Sequence, residues 1–237
     1  MDEAVNRNRR RAHGLSRRGL LQAAGIGAAL VAARPGWLLG KNADGVARPN
    51  IVLCIGDDMA WNAAGCYGNP DVKTPTIDRL ASEGMRFDLA FTSTAMCAPT
   101  RQQLYTGVFP VRNGAFPNHS RVYKDTRSMV HHLRAMGYRV GICGKTHFGP
   151  ADSFPFDRVN AAGIQGYVSR VKDQPFCLVY ASHSPHLPWG VGKAEMYAPA
   201  KLTLEPDMID TPQFRVGLSK YYAEITDLDR EIGVVYD

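Results

Sequence analysis

Apolar and polar positions alternate along the chain between two periods. Asn50–Ile55 is a short apolar run rich in β-branched residues and closed by Gly56, the pattern of a buried strand. Thr74-Pro75 then supplies a cap and a first-turn proline, which predicts a helix to about Glu83 with Gly84 beyond its end. Met85–Ala90 alternates apolar with polar residues and predicts a short strand. Pro99–Thr106 predicts a helix stopped by Gly107. Ser128–Met136 places Met129, Leu133 and Met136 at helical spacing before Gly137, and Tyr138–Cys143 and Phe176–Tyr180 predict two further buried strands. Ser219–Tyr236 predicts a last helix with Tyr222, Ile225, Leu228, Ile232 and Val235 on one face, whereas Pro150–Gln174 is too irregular to assign. Strands alternating with helices predict an α/β fold, a mostly parallel sheet sandwiched by helices. Sites in such sheets form beyond the carboxyl ends of the strands.

Composition narrows the class. The 237 residues are 45% hydrophobic and 21% charged, enough to bury a core. The net charge of +6 invites a nucleic-acid reading, but residues 1–33 hold six arginines against Asp2 and Glu3, so +4 of it sits there. The remaining +2 makes no basic stripe, and no nucleic-acid partner is expected. Leu15-Ser16-Arg17-Arg18-Gly19-Leu20-Leu21 and the moderate apolar stretch to Ala33 pattern as a twin-arginine export signal, an ordinary secretory signal being the other reading. Residues 1–40 are therefore expected to be signal and linker, and 48–237 the folded domain, in a bacterial protein exported to the periplasm or outside by the twin-arginine translocase. Five scattered cysteines with no CxxC argue against a zinc site or a disulfide framework. Cys54 and Cys143 lie in apolar runs and are expected to be buried, while Cys97 lies in a loop beside Pro99 and Arg101.

Three polar clusters follow strands. Asp57-Asp58 follows the first; adjacent carboxylates make sense around a hard cation, or as a surface turn. Lys145 and His147 follow the strand ending near Cys143, and in extended chain would face the same way. His183 and His186 follow the next, with His186 between Pro185 and Pro188. In Cys97-Ala98-Pro99-Thr100-Arg101, a helix starting at Pro99 leaves Cys97 where free N–H groups favour an anion, with Arg101 able to point back. That spacing reads as an activated nucleophile beside an anionic substrate, or as a plain cysteine near a helix start.

The segment Cys97 to Gly107, C-x-P-x-R followed by a leucine and Thr106-Gly107, resembles the sulfatase signature. Gly56-Asp57-Asp58, Gly144-Lys145-Thr146-His147 and Pro185-His186-Leu187-Pro188 resemble further sulfatase motifs in the expected order. Pro110-Val111-Arg112-Asn113-Gly114 and Gly144–Pro150 are more similar to the heparan N-sulfatase, sulfamidase-like branch. The resemblance covers about Arg48 to Asp237 and implies an alkaline-phosphatase-like superfold and hydrolysis of sulfuric esters or sulfamates, with sulfated carbohydrates as substrates. It implies that a formylglycine-generating enzyme reads the motif's proline and arginine and converts Cys97, whose hydrate attacks sulfur. Asp57, Asp58 and residue 97 would bind calcium, Arg101 and Lys145 would hold developing charge, His147 would handle the hydrate's proton, and His186 would contact the sulfate or protonate the leaving group. Family members continue past the last helix into a strand that completes the calcium site, then a catalytic lysine. A chain ending at Asp237 is thus expected to bind calcium poorly and turn over little, as an incompetent fragment. A phosphomonoester or phosphonate hydrolase of the same superfold is the enzymatic alternative.

Overall fold

A computed structural model describes residues 39–40 and 48–237. The export-signal reading of residues 1–40 falls almost wholly outside the described residues. Strand β1 (Ile51–Ile55) is followed by α1 (Pro75–Glu83), α2 (Cys97–Thr106), the single turn α3 (Pro110–Asn113) and α4 (Met129–Ala135). Strand β2 (Arg139–Gly144), short β3 (Asp157–Val159), α5 (Ile164–Val171), β4 (Phe176–Ala181) and α6 (Pro212–Tyr236) complete the order.

The four strands form one parallel sheet in the order β1-β4-β2-β3. β4 is central and all six of its residues are buried, as expected of a parallel strand covered on both faces. Strand alternation splits its side chains between two layers. Cys177, Val179 and Ala181 join Val140 and Ile142 of β2 against Tyr105 of α2 and Val130 of α4. Phe176 and Leu178 face the other way, onto Tyr167 and Val171 of α5. The register aligns Ile55 with Ala181 and Ala181 with Gly144, so three strands end at one level.

Helix α6 starts seven residues before the expected Ser219. Thr211 caps it by accepting the N–H of Phe214, and Pro212 opens the first turn. Tyr222, Ile225 and Leu228 are buried on the expected face and Val235 is half-buried. The helix also buries carboxylates. Asp229 accepts the N–H groups of Thr76 (3.1 Å) and Ile77 (2.8 Å), so α1 is capped from a distance while the Thr74 side chain makes no cap.

Three expectations change. Met85–Ala90 is not a strand: Met85, Phe87 and Leu89 are exposed, and no neighbouring strand pairs with the segment among the described residues. Pro150–Gln174 holds β3 and α5, missed because the strand Asp157-Arg158-Val159 is mostly charged. Cys54 is half-buried, since β1 lies at the sheet edge; Cys143 is buried as expected.

Candidate active site

The site is built where β1, β2 and β4 end. Ser182 N–H donates to Ile55 O, Asp57 N–H to Ser184 O, and Lys145 N–H to Ala181 O, lacing the three outgoing loops together. Gly144 makes this possible. Its φ is +90°, and a Cβ there would lie 2.0 Å from Ala181 O. Gly144→Ala combines a left-handed backbone with a clash against β4 and should destabilise the protein by more than about 2 kcal/mol, read as a lowered urea midpoint at unchanged slope.

Asp57 is 3% exposed and lies between two cations. Arg101 Nη2 donates to its Oδ1 at 3.1 Å, and Lys145 Nζ donates to its Oδ2. Burial by itself would raise the Asp57 pKa; the hydrogen bonds and charges of Lys145 and Arg101 outweigh it and hold the carboxyl below its usual range. The repulsion between neighbouring aspartates is thus relieved by two side-chain cations. Asp58 is more open: its Oδ2 is 3.5 Å from His186 Nε2 and its Oδ1 3.8 Å from Cys97 Sγ. Tyr221 of α6 fixes this loop, donating to Asp58 O at 3.1 Å and accepting the Ala60 N–H at 2.7 Å.

Cys97 is the first residue of α2, with Met96 as N-cap, one or two residues earlier than the sequence suggested. Burial, then the negative charge of Asp57, pushes its thiol pKa above the ordinary value. Without a bound cation this disfavours a thiolate at position 97. Arg101 is directed at Asp57 and at Lys145 O (3.4 Å), not back at Cys97.

Lys145 and His147 do not continue an extended chain. After Gly144 the backbone turns, and His147 itself has φ +47°. Its Nε2 lies 2.8 Å from Nδ1 of His119, a residue in a polar loop that sequence reasoning missed. His186 reaches the cluster; His183 is exposed and, among the described residues, makes no side-chain hydrogen bond or ion pair. Of the four non-glycine residues with positive φ among those described, Asp58, His119 and His147 are in this cluster, as strain concentrated at a working site predicts.

The loop carrying His186 is held from below by Glu224, 2% exposed on α6. It accepts the N–H groups of Gly190 (2.7 Å), Val191 (2.7 Å) and Gly192 (3.1 Å) and the Ser184 hydroxyl (3.0 Å). Burial raises the Glu224 pKa, but these donors more than offset that and keep the carboxylate ionised.

One ligand atom each from Asp57, Cys97 and His186 lies within 4.8 Å of the others. This differs from the expected Asp57, Asp58 and Cys97, although Asp58 flanks the set. For calcium the donor chemistry fits at Asp57 and Asp58, and at position 97 only with oxygen in place of sulfur.

The family model described as Sulfatase matches residues 49–156, a span that takes in both aspartates, Cys97, Arg101, Lys145 and His147. Residues 49–156 thus resemble the sulfatase family. An ulvan-active sulfatase of Formosa agariphila is 37% identical over 153 residues, 59% of this chain and 30% of that protein. Human N-sulphoglucosamine sulphohydrolase is 30% identical over 235 residues, covering 80% of this chain and 47% of the relative. The chain thus spans less than half the length of either. A Bacteroides fragilis protein described as a sulfatase superposes with a TM-score of 0.69 at 24% identity, over 79% of this chain and 57% of that one. That likeness establishes the sulfatase-like fold.

Proposed function

We propose that this chain supplies the signature half of the active site of a sulfuric-ester or sulfamate hydrolase that uses formylglycine at position 97 and calcium. The observation that carries the reading is the convergence of Asp57, Asp58, Cys97, Arg101, Lys145 and His186 beyond the ends of three parallel strands. Asp57, Asp58 and an oxygen at position 97 would hold the cation, which supplies Lewis-acid polarisation of the sulfate oxygens. Formylglycine at position 97 would supply, in place of the cysteine's sulfur, an oxygen nucleophile for attack on the sulfur of the substrate.

The remaining chemistry belongs to side chains already in place. Arg101 and Lys145 keep Asp57 ionised and bring two fixed positive charges to where anionic substrate charge develops. His147 accepts the proton of the attacking hydroxyl: burial first, then the charges of Lys145, His119 and Arg101, hold its pKa below the usual value, so it is a neutral base near pH 7. His186, exposed on a braced loop, is placed to meet the sulfate or the leaving group.

Sulfated glycans are the proposed substrates, supported by the names of the ulvan-active and N-sulphoglucosamine relatives. Export belongs to the same proposal and rests on Ser16-Arg17-Arg18 and the apolar stretch after it; among the described residues no helix is long and apolar enough to cross a membrane.

The test is the mass of the Cys97-containing peptide from protein recovered from its own cells. Conversion to formylglycine should leave it roughly 18 Da below the genetic sequence. An unmodified thiol in protein that hydrolyses neither N-sulfated nor O-sulfated glucosamine would sink the reading.

A further inference from the structure

Two histidines from separate segments meet beside α2. His147 Nε2 and His119 Nδ1 are 2.8 Å apart and the ring centroids 4.8 Å, so one nitrogen donates a proton to the other. The pairing is built by Gln102, fully buried on α2. Its Nε2 donates to Ser120 O at 3.0 Å, and its Oε1 accepts the N–H groups of Val122 (3.1 Å) and Gly149 (3.3 Å). One amide therefore fixes the loop carrying His119 and the segment carrying His147 against the same helical turn. Asn118 adds a second tie, accepting the N–H groups of Ala98 and His119 through one oxygen. Both histidines hold left-handed φ values, +64° and +47°, which this framework imposes.

The two ends of the pair differ. Nδ1 of His147 is buried without a hydrogen-bond partner, an inward-facing vacancy for a proton, whereas His119 is exposed. The groups around His147 are Lys145 and Arg101, whose charges oppose an imidazolium, Asp57, which favours it, and His119. Burial first, then the charges of Lys145, His119 and Arg101, hold the pKa below its usual value, which disfavours a second proton on this ring.

We propose that His119 is a positioning residue that relays to solvent the proton taken up by His147. The inference rests on the sulfatase reading for the source of that proton. As Nδ1 of His147 gains a proton, its Nε2–H proton passes to Nδ1 of His119, and the Nε2–H proton of His119 passes to water. Each ring gains one proton and loses one, and the reverse transfer restores both tautomers.

The experiment uses the native full-length protein with 15N-labelled histidine. A nitrogen–nitrogen coupling across the hydrogen bond between His147 Nε2 and His119 Nδ1 is expected, and its absence overturns the relay whether or not sulfate esters are hydrolysed. His119→Asn should lower kcat by about tenfold or more with KM within about twofold, and added imidazole should restore most of the loss. His132→Asn, on the exposed face of α4, should change neither kcat nor its response to imidazole. Full kcat in His119→Asn, or a loss that imidazole leaves untouched, overturns the relay. Coupling present in a native protein that hydrolyses no sulfate ester overturns the sulfatase reading and, with it, the relay's proton source.

Discussion

Arg101→Ala should unfold at a much lower urea concentration than the parent, with a stability loss of about 3 kcal/mol. The Arg101 and Asp57 side chains are each 4% exposed and bonded at 3.1 Å. Removing one partner of a buried ion pair strands the other charge, at a cost of roughly 3–5 kcal/mol; the lower end applies because Lys145 still contacts Asp57. The stability of the same variant should also depend less steeply on acid pH. The folded-state pKa of Asp57 lies below its ordinary value of 3.8. The stability this contributes is therefore present above that value and is lost as pH falls through the lowered folded one. Without Arg101 the folded value rises toward the ordinary one, so Asp57 contributes less stability above it and less of the loss on acidification. Unfolding curves between pH 3 and 7 check both effects; a midpoint within error of the parent at every pH would mean the pair is not formed.

Cys97→Ala should lower kcat/KM on sulfated sugars by at least about 10⁴ while the melting temperature stays nearly unchanged. The contrast with Arg101 follows from burial. Cys97 is a small, half-buried side chain whose sulfur makes weak contacts, among them the 3.8 Å one with Asp58. Residual turnover within about tenfold of the parent would show that position 97 is not the nucleophile.

The sheet was legible where its strands are covered: runs such as Phe176–Ala181 must be apolar throughout to be buried on both faces. The site was legible where chemistry is concentrated in short segments, at Asp57-Asp58, at Cys97 to Arg101 and at Lys145-Thr146-His147. What was hidden depends on pairings across long stretches of chain. Glu224 and Asp229 look like ordinary polar positions of an amphipathic helix, and only the fold places them under Gly190–Gly192 and at the start of α1. His119 sits in Pro117-Asn118-His119-Ser120 with no periodicity to single it out, and Gln102 stood in view inside the signature without a stated role. The Thr211-Pro212 start of α6 could have been found, since a threonine before a proline is a helix-start signal. Met85–Ala90 shows the opposite error: its alternation suits a strand, but a strand needs a neighbour.

The burial of Pro99 and Arg101, both inside α2, sets an order of events in the life of the protein. An enzyme that recognises these two side chains cannot reach them once α2 has docked and Arg101 has closed on Asp57. Under the proposed reading, conversion of Cys97 would be a task for the interval between synthesis of this segment and its packing. Tyr221, Glu224 and Asp229 reach the loops and helix they hold only when α6 arrives, more than a hundred residues after Cys97 has been made. The late arrival of that helix keeps the window open, and its docking closes it.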